Sequence, residues 1–445
     1  MSKELFLENM KLLLGAEEYK RFAASLQEPA FRGIYVNTLK CTVEKLQQLF
    51  PYPLRQTPFS EKGFYIAPDV QHLGNHPLHH AGAFYVQEPS AMSAAAVLDV
   101  QPGDRVLDLC AAPGGKTTAL AGVLAGTGLL WSNEYVKQRA FTLLSNCERI
   151  GVRNAVVSNA DTRLLAEKLP AFFNKILVDA PCSGEGMLRR EKAEYEKWSE
   201  ENIAICAARQ KNILENAAVL LCPGGEMVYS TCTFNQEENE EVVAAFLEKH
   251  PEFSLVHIAA HFGSAGFGMP QARRIFPKDG GEGHFVAKLK KSGSSDFVNP
   301  KSFTAAPAPS AFHEFYREQF LEKPYGNPCQ IRDKTYLLPP EMPALTGIPL
   351  LRAGVLAGEM KGARFVPAHA LYAAAQANDC ANRLNLTLDD ARTAAFLHGE
   401  EIDIGDSTAQ KGFCAVSVEN IPLGFGKVTG SKLKNHYPKG LRNLS

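Results

Sequence analysis

Short apolar runs alternate with helix-period segments along the middle of this chain. Arg105-Val-Leu-Asp-Leu109, Leu129-Leu-Trp-Ser-Asn-Glu134, Asn154-Ala-Val-Val-Ser-Asn-Ala-Asp161, Ile176-Leu-Val178 and Gly225-Glu-Met-Val-Tyr-Ser-Thr-Cys232 each read as a strand. The run at 176–178 has no polar position, as expected of a parallel strand covered by helices on both faces. Between these strands the spacing predicts a helix from Ser90 to Val100 with Pro89 at its start, another from Thr117 to Leu124, a third from Lys137 to Ile150, and a long one centred on Ile203 to Leu221. This β-α-β-α order demands an α/β fold with a parallel, doubly wound, Rossmann-like sheet. Arg273-Arg-Ile-Phe-Pro277 and His284-Phe-Val-Ala-Lys-Leu289 are expected to supply its closing strands.

The flanks carry different patterns. Residues 1 to about 30 read as a helix that gathers Leu5, Phe6, Leu12, Leu13, Tyr19, Phe22 and Leu26 on one face. Gly33 to Lys40 follows as a strand, and the Pro- and Gly-rich segment from Pro51 to Pro77 suits short strands and loops. After Lys290 the composition turns to Ser, Gly, Ala and Pro, which marks a linker. The expected organisation is a small α+β N-terminal domain at 1–88, the doubly wound domain at 89–291, a linker at 292–310 and a further α+β domain at 311–445.

Composition narrows the classes. A chain of 445 residues is too long for one core, and 45% hydrophobic with 21% charged content is ordinary for a globular protein. No apolar run spans a bilayer and the N-terminus lacks a signal-peptide core, so a cytoplasmic protein without membrane contact is expected. The ten cysteines include no C-x-x-C pair, which points to reduced thiols and to neither a disulfide framework nor a zinc ribbon. His72, His76, His79 and His80 cluster in a Gly- and Pro-containing loop without acidic or Cys partners at ligand spacing, so surface histidines are expected there and no metal. With a net charge of −1, any nucleic-acid surface must be a local patch. One candidate is the C-terminal run from Lys427 to Arg442, which has no acid and is interspersed with glycines, Tyr437 and, just before it, Phe425. On this reading, removal of residues 311–445 should weaken nucleic-acid binding and leave ligand affinity at the doubly wound domain nearly intact.

Candidate chemistry sits at strand ends, where open α/β sheets bind ligands. Asp179 and Cys182 follow the strand at 176–178, and Cys232 ends the next one, which suggests a paired thiol site. Cys110-Ala-Ala-Pro-Gly-Gly-Lys116 is neither a phosphate loop, because position 110 is not glycine, nor a dinucleotide fingerprint. A small-residue turn before a helix N-terminus can still hold a carboxylate through its free backbone N–H groups. Glu134 at the next strand end can accept a ribose diol, and Asp161, one strand further, an adenine amine. S-Adenosylmethionine carries all three groups. The expected cofactor set is therefore Cys110, Ala111, Ala112, Pro113, Gly114, Gly115, Lys116, Glu134 and Asp161.

Cys110 to Lys116, Asp179-Ala-Pro-Cys-Ser-Gly184 and Ser230-Thr-Cys-Thr233 together resemble the motifs of the Nop/Sun family of RNA cytosine-5 methyltransferases. Val36-Asn-Thr-Leu-Lys40 and Tyr85-Val-Gln-Glu-Pro-Ser90 are similar to that family's N-terminal segment, so the resemblance spans about residues 30 to 291. Leu433-Lys-Asn-His-Tyr-Pro-Lys-Gly-Leu-Arg442 resembles the C-terminal domain of bacterial members that act on small-subunit ribosomal RNA. The resemblance implies a PUA-like or RRM-like RNA-binding tail, and S-adenosylmethionine as methyl donor. It also implies attack by Cys232 on carbon 6 of cytosine, product release by Cys182, and contact of Asp179 with the target base or the cofactor, which adds Asp179 to the cofactor set. A monomer acting on ribosomal RNA is expected. Transfer RNA as substrate, an amino-group methyltransferase and a non-catalytic ribosome-assembly factor are the alternatives. The thiols, and Ala-Pro-Cys where Pro-Pro and an aromatic would stand, count against the last two.

Overall fold

A computed structural model describes residues 2–190, 198–294, 301, 303–344 and 347–443. Residues 295–300, within the expected linker, lie outside the described residues. The chain opens with a helix at Ser2–Ser25 and a four-stranded sheet. Its strands are β1 (Arg32–Val36), β2 (Arg55–Gln56), β3 (Gly63–Ile66) and β4 (Phe84–Val86), in the order β2-β3-β1-β4.

The central sheet follows. Strands β5 (Arg105–Asp108), β6 (Leu129–Asn133), β7 (Ala155–Ser158), β8 (Phe173–Asp179) and β9 (Leu221–Thr231) are parallel and lie in the order β9-β8-β5-β6-β7. The winding reverses between β5 and β8, so the carboxyl ends of these two strands flank a crevice. The antiparallel strands β10 (Phe253–Val256), β11 (Ser264–Gly266), β12 (Met269–Ile275) and β13 (His284–Lys291) extend the sheet beyond β9. The expected doubly wound sheet, its closing strands and the helix at Lys137–Ile150 are all present. Alternate residues of β8 feed opposite layers: Ile176 and Val178 join the core of Trp131 and Leu214, whereas Leu177 joins that of Leu120 and Tyr85.

Two further sheets lie C-terminal. One runs through β14 (Ala306–Pro307), β15 (Asn327–Ile331), β16 (Lys334–Leu338), β18 (Val355–Lys361) and β19 (Arg364–Pro367). The other orders β20 (Arg383–Leu386), β22 (Gly412–Val418), β23 (Ile421–Thr429), β24 (Lys432–Asn435) and β21 (Ile402–Asp403). The strand between β16 and β18 in the chain, β17 (Leu350–Ala353), belongs to neither. It pairs antiparallel with β7 and closes the far edge of the central sheet. Cys329, Leu338, Met342 and Ile348 are buried in the same core as Leu107, Trp131 and Val156. The C-terminal segment therefore does not hang from the central sheet as a separable tail. It supplies an edge strand and part of the core.

Three expectations are corrected by packing. The N-terminal helix buries Phe6, Met10 and Phe22, while Leu12 is 84% exposed and Leu5 is also exposed. Gly15 sits at φ 72 inside this helix and breaks the phase that would have put all seven apolar residues on one face. Phe425 and Tyr437 do not punctuate a basic surface. Both are buried, Tyr437 in a core shared by Ile34 and Phe84 of the N-terminal sheet and Val416 and Leu433 of the C-terminal one. Nor are the loop histidines all on the surface. His80 is half-buried and its ring nitrogens meet the Tyr437 hydroxyl at 2.8 Å and Asn443 Oδ1 at 2.8 Å, while burial, with Arg149 and His80 nearby, pushes His79 down to about 3. Among the described residues no cluster of three or more His, Cys, Asp or Glu side chains could hold a metal ion.

Candidate active site

The end of β5 leads into the turn 109–114 and the helix Gly115–Leu124. Asp108 is fully buried, and loss of solvent pushes its carboxyl up to about 7 although Thr117 Oγ1 donates to it at 2.7 Å. The two glycines of the turn have different reasons. Gly114 adopts φ +116, which side chains rarely tolerate, whereas a Cβ on Gly115 would come within 3.1 Å of Gln87 and Tyr85. Gly114→Ala should therefore lower stability by about 1–3 kcal/mol through backbone strain, measured by thermal denaturation.

A cavity of about 1010 Å³ opens at the strand ends. Cys110, Ala112, Glu134, Asp161, Asp179, Cys182 and Cys232 line it, together with Tyr135, Arg139 and Asn212. Ala111, Pro113, Gly114, Gly115 and Lys116 do not line it; they shape the turn behind it. Glu134, at the end of β6, is buried and accepts the Val136 N–H at 2.8 Å, with Arg139 Nη2 at 3.7 Å. Asp161 caps the helix Thr162–Lys168 by accepting the Arg163 N–H at 2.8 Å.

Lys116 has a partner that its spacing did not disclose. Its Nζ donates to Asp179 Oδ2 at 2.6 Å, so the turn after β5 is tied to the end of β8. Ser230 Oγ donates to Asp179 Oδ1 at 2.8 Å, and His284 Nε2 lies 3.7 Å from the same oxygen. Burial raises the Asp179 carboxyl, but Lys116, His284 and Ser230 outweigh it and hold the group below its ordinary value. Asp179 is thus ionised at neutral pH. Burial pushes the His284 ring down to about 3, so it stays neutral there.

This pair predicts a pH signature. A carboxyl lowered by folding adds stability that is present above its unfolded value, about 3.9, and is lost as pH falls through the folded value. Asp179→Asn should lower stability by about 3 kcal/mol at pH 7, because Lys116 would be left buried without its counter-charge. The gap between wild type and variant should close below about pH 4 in a series of thermal melts.

The two thiols meet across β8 and β9. Cys182 Sγ lies 3.2 Å from Cys232 Sγ. The Cys182 thiol is pushed well above its ordinary value, first by its hydrogen bond with Cys232 and then by burial. It keeps its proton at neutral pH.

Sequence reasoning missed the second layer of the site. Glu185 and Glu238 are both buried and gather the polar groups of the two cysteine loops. Their signal was weak, because Glu238 lies among Glu237, Glu240 and Glu241, which read as acids at a helix start.

Comparison with known proteins gives four family models in register along the chain. Residues 95–290 match the 16S rRNA methyltransferase RsmB/F model, and residues 3–89 the N-terminal domain of 16S rRNA methyltransferase RsmF. Residues 314–374 match the first C-terminal domain of RsmF rRNA methyltransferase, and 383–443 the methyltransferase RsmF PUA domain. The chain is 33% identical to ribosomal RNA small subunit methyltransferase F of Klebsiella pneumoniae, over 98% of this chain and 96% of that protein. Among solved structures, a methyltransferase homolog protein from Pyrococcus horikoshii is similar at 30% identity and a TM-score of 0.58, covering 64% of this chain and 94% of that one. NSun6 from Pyrococcus horikoshii, solved with SFG, is similar at 25% identity and a TM-score of 0.57, over 65% of this chain and 98% of that one. With the site's geometry and near full-length similarity in agreement, the chain belongs to the 16S rRNA methyltransferase RsmB/F family.

Proposed function

We propose that this chain methylates carbon 5 of cytosine in 16S ribosomal RNA, with Cys232 as nucleophile. The observation that carries the reading is the pair of thiols 3.2 Å apart, in one cavity with an ionised Asp179. At about 1010 Å³ the cavity is at the upper limit of a single-ligand pocket, roughly 300–1,000 Å³, which suits a cofactor beside a target base.

S-Adenosylmethionine supplies an electrophilic methyl group when bound. Glu134 would accept its ribose hydroxyls, Asp161 the adenine amine, and the turn 110–116, through Cys110 and Ala112 at the cavity wall, would hold its carboxylate. On the RNA side, Cys232 adds as thiolate to carbon 6, which makes carbon 5 nucleophilic. An ionised Asp179 accepts hydrogen bonds, so it suits the exocyclic amine or a ring nitrogen that has gained a proton. Cys182, still protonated, can give its proton to the departing Cys232 sulfur as the carbon–sulfur bond breaks. In the same elimination it takes up the proton that carbon 5 releases, so that the C–H electron pair restores the ring double bond while the carbon–sulfur pair leaves with the Cys232 sulfur. The target base must leave its stack to reach this cavity.

We further expect the chain to act as a monomer in the cytoplasm. All ten cysteines are free, and no helix of the described residues is long and apolar enough to cross a membrane. Bisulfite sequencing of total RNA from cells lacking the protein tests the substrate. Loss of 5-methylcytosine from 16S ribosomal RNA supports the proposal; loss confined to transfer RNA replaces it with the rival substrate.

A further inference from the structure

Each cysteine loop carries a buried glutamate that reaches the residues beside the other cysteine. Glu185, three residues after Cys182, accepts from Thr233 Oγ1 at 2.7 Å, the Phe234 N–H at 2.8 Å and the Asn235 N–H at 2.9 Å. Its other oxygen accepts from Trp198 Nε1 at 2.9 Å. Glu238, six residues after Cys232, accepts from the Ser183 N–H at 2.9 Å and from the Ser183 hydroxyl. Gln210 Nε2 and Asn235 Nδ2 each donate to it at 2.8 Å.

The two carboxylates thus cross between the loops. Asn235 joins them, since its Nδ2 also lies 3.2 Å from Glu185 Oε2. The backbones touch as well: the Gly186 N–H donates to Cys232 O at 2.9 Å, and a Cβ at Gly186 would stand 2.9 Å from that oxygen. Among the described residues, all of the donors to the two glutamates are neutral. Burying a carboxylate among neutral donors is costly compared with an amide or an apolar residue, and a fold that needed only packing here would not require it. What the arrangement does supply is direction. Acceptor-only groups with several lone pairs fix many N–H and O–H donors at once, and every loop donor is within three residues of a cysteine.

We propose that Glu185 and Glu238 are positioning residues that hold the Cys182 and Cys232 sulfurs at reacting distance, neither touching RNA nor cofactor. The proposal rests on the thiol chemistry given under Proposed function. A nucleophile and its proton partner work only while their separation is kept, and a displacement of about 1 Å costs on the order of 100-fold in rate.

The test uses the full chain, with Glu238→Gln, Glu185→Gln and Asn235→Ala. Methylation of 16S ribosomal RNA should fall roughly 100-fold in kcat, with KM for RNA changed by less than about threefold. Cofactor affinity should stay at the wild-type value. Diamide provides a direct readout of sulfur separation, because it takes two hydrogens from a thiol pair and leaves a disulfide. Peptide mapping should show Cys182–Cys232 crosslinking slowed by about tenfold or more in the variants. If a glutamine variant does not fold, Asn235→Ala removes a bond to each carboxylate without touching either charge, and the same two outcomes apply to it. Wild-type kcat together with wild-type crosslinking would overturn the positioning role and leave the thiol assignment standing. Methylation by Cys232→Ala would instead defeat the assignment of the thiols.

Discussion

Cys182→Ala will remain covalently attached to its RNA, whereas Cys232→Ala will bind RNA and cofactor and form no adduct. The two sulfurs are 3.2 Å apart, so proximity alone does not separate their roles. The resemblance of their motifs to the family's does, implying attack by Cys232 and release by Cys182. The Cys182 thiol is pushed up by its hydrogen bond with Cys232 and by burial, which suits a proton carrier. Removing the nucleophile should cost at least about 10⁴-fold in turnover, as loss of a covalent catalyst commonly does. Removing the proton carrier lets the adduct form and blocks its breakdown. Denaturing electrophoresis of each variant after incubation with RNA and S-adenosylmethionine will show a band of retarded mobility for Cys182→Ala, absent from the double variant. A trapped species with Cys232→Ala would reverse the assignment.

Deleting residues 311–445 should destabilise the whole protein and abolish cofactor binding, contrary to the modular behaviour that the basic C-terminus suggests. The cut removes β17 from the edge of the central sheet, leaving the β7 backbone unpaired beside the Asp161 turn. It also removes Cys329, Leu338, Met342 and Ile348 from the main core. At about 1.5–3 kcal/mol for each fully buried aliphatic side chain, the last three are comparable with the roughly 5–15 kcal/mol by which a native domain is stable. The N-terminal sheet would lose Leu384, Val416, Leu433 and Tyr437, which share its core. Thermal denaturation and titration calorimetry with S-adenosylmethionine are the measurements. A truncated chain with wild-type melting and affinity would show that β17 and its neighbours are dispensable.

Two of the smaller expectations bear on how the site is built. The Gly114 substitution tests a backbone angle, and Asp179→Asn tests the ion pair with Lys116. The first should change stability at every pH. The second should lose its effect in acid, so the two are separable in one set of melts.

Local pattern determined the parallel sheet, its helices and the strand ends at which Asp179, Cys182 and Cys232 stand. Such features depend on residues close in sequence: the apolar run at 176–178, the helical period at 137–150, and small residues where a strand turns into a helix. The family motifs were legible for the same reason. Only the tertiary structure decided that Lys116 faces Asp179, that Glu185 and Glu238 cross between the cysteine loops, and that Phe425 and Tyr437 point inward. It alone assigned β17 to the central sheet, some 190 residues along the chain from β7. Contacts between residues so far apart leave no period or spacing in the sequence. A lysine beside a glycine turn looks the same whether it meets a ligand or a carboxylate, and an aromatic in a basic run looks the same buried or exposed. Which of these holds depends on the surface that the rest of the chain brings to it, and that surface exists only after folding.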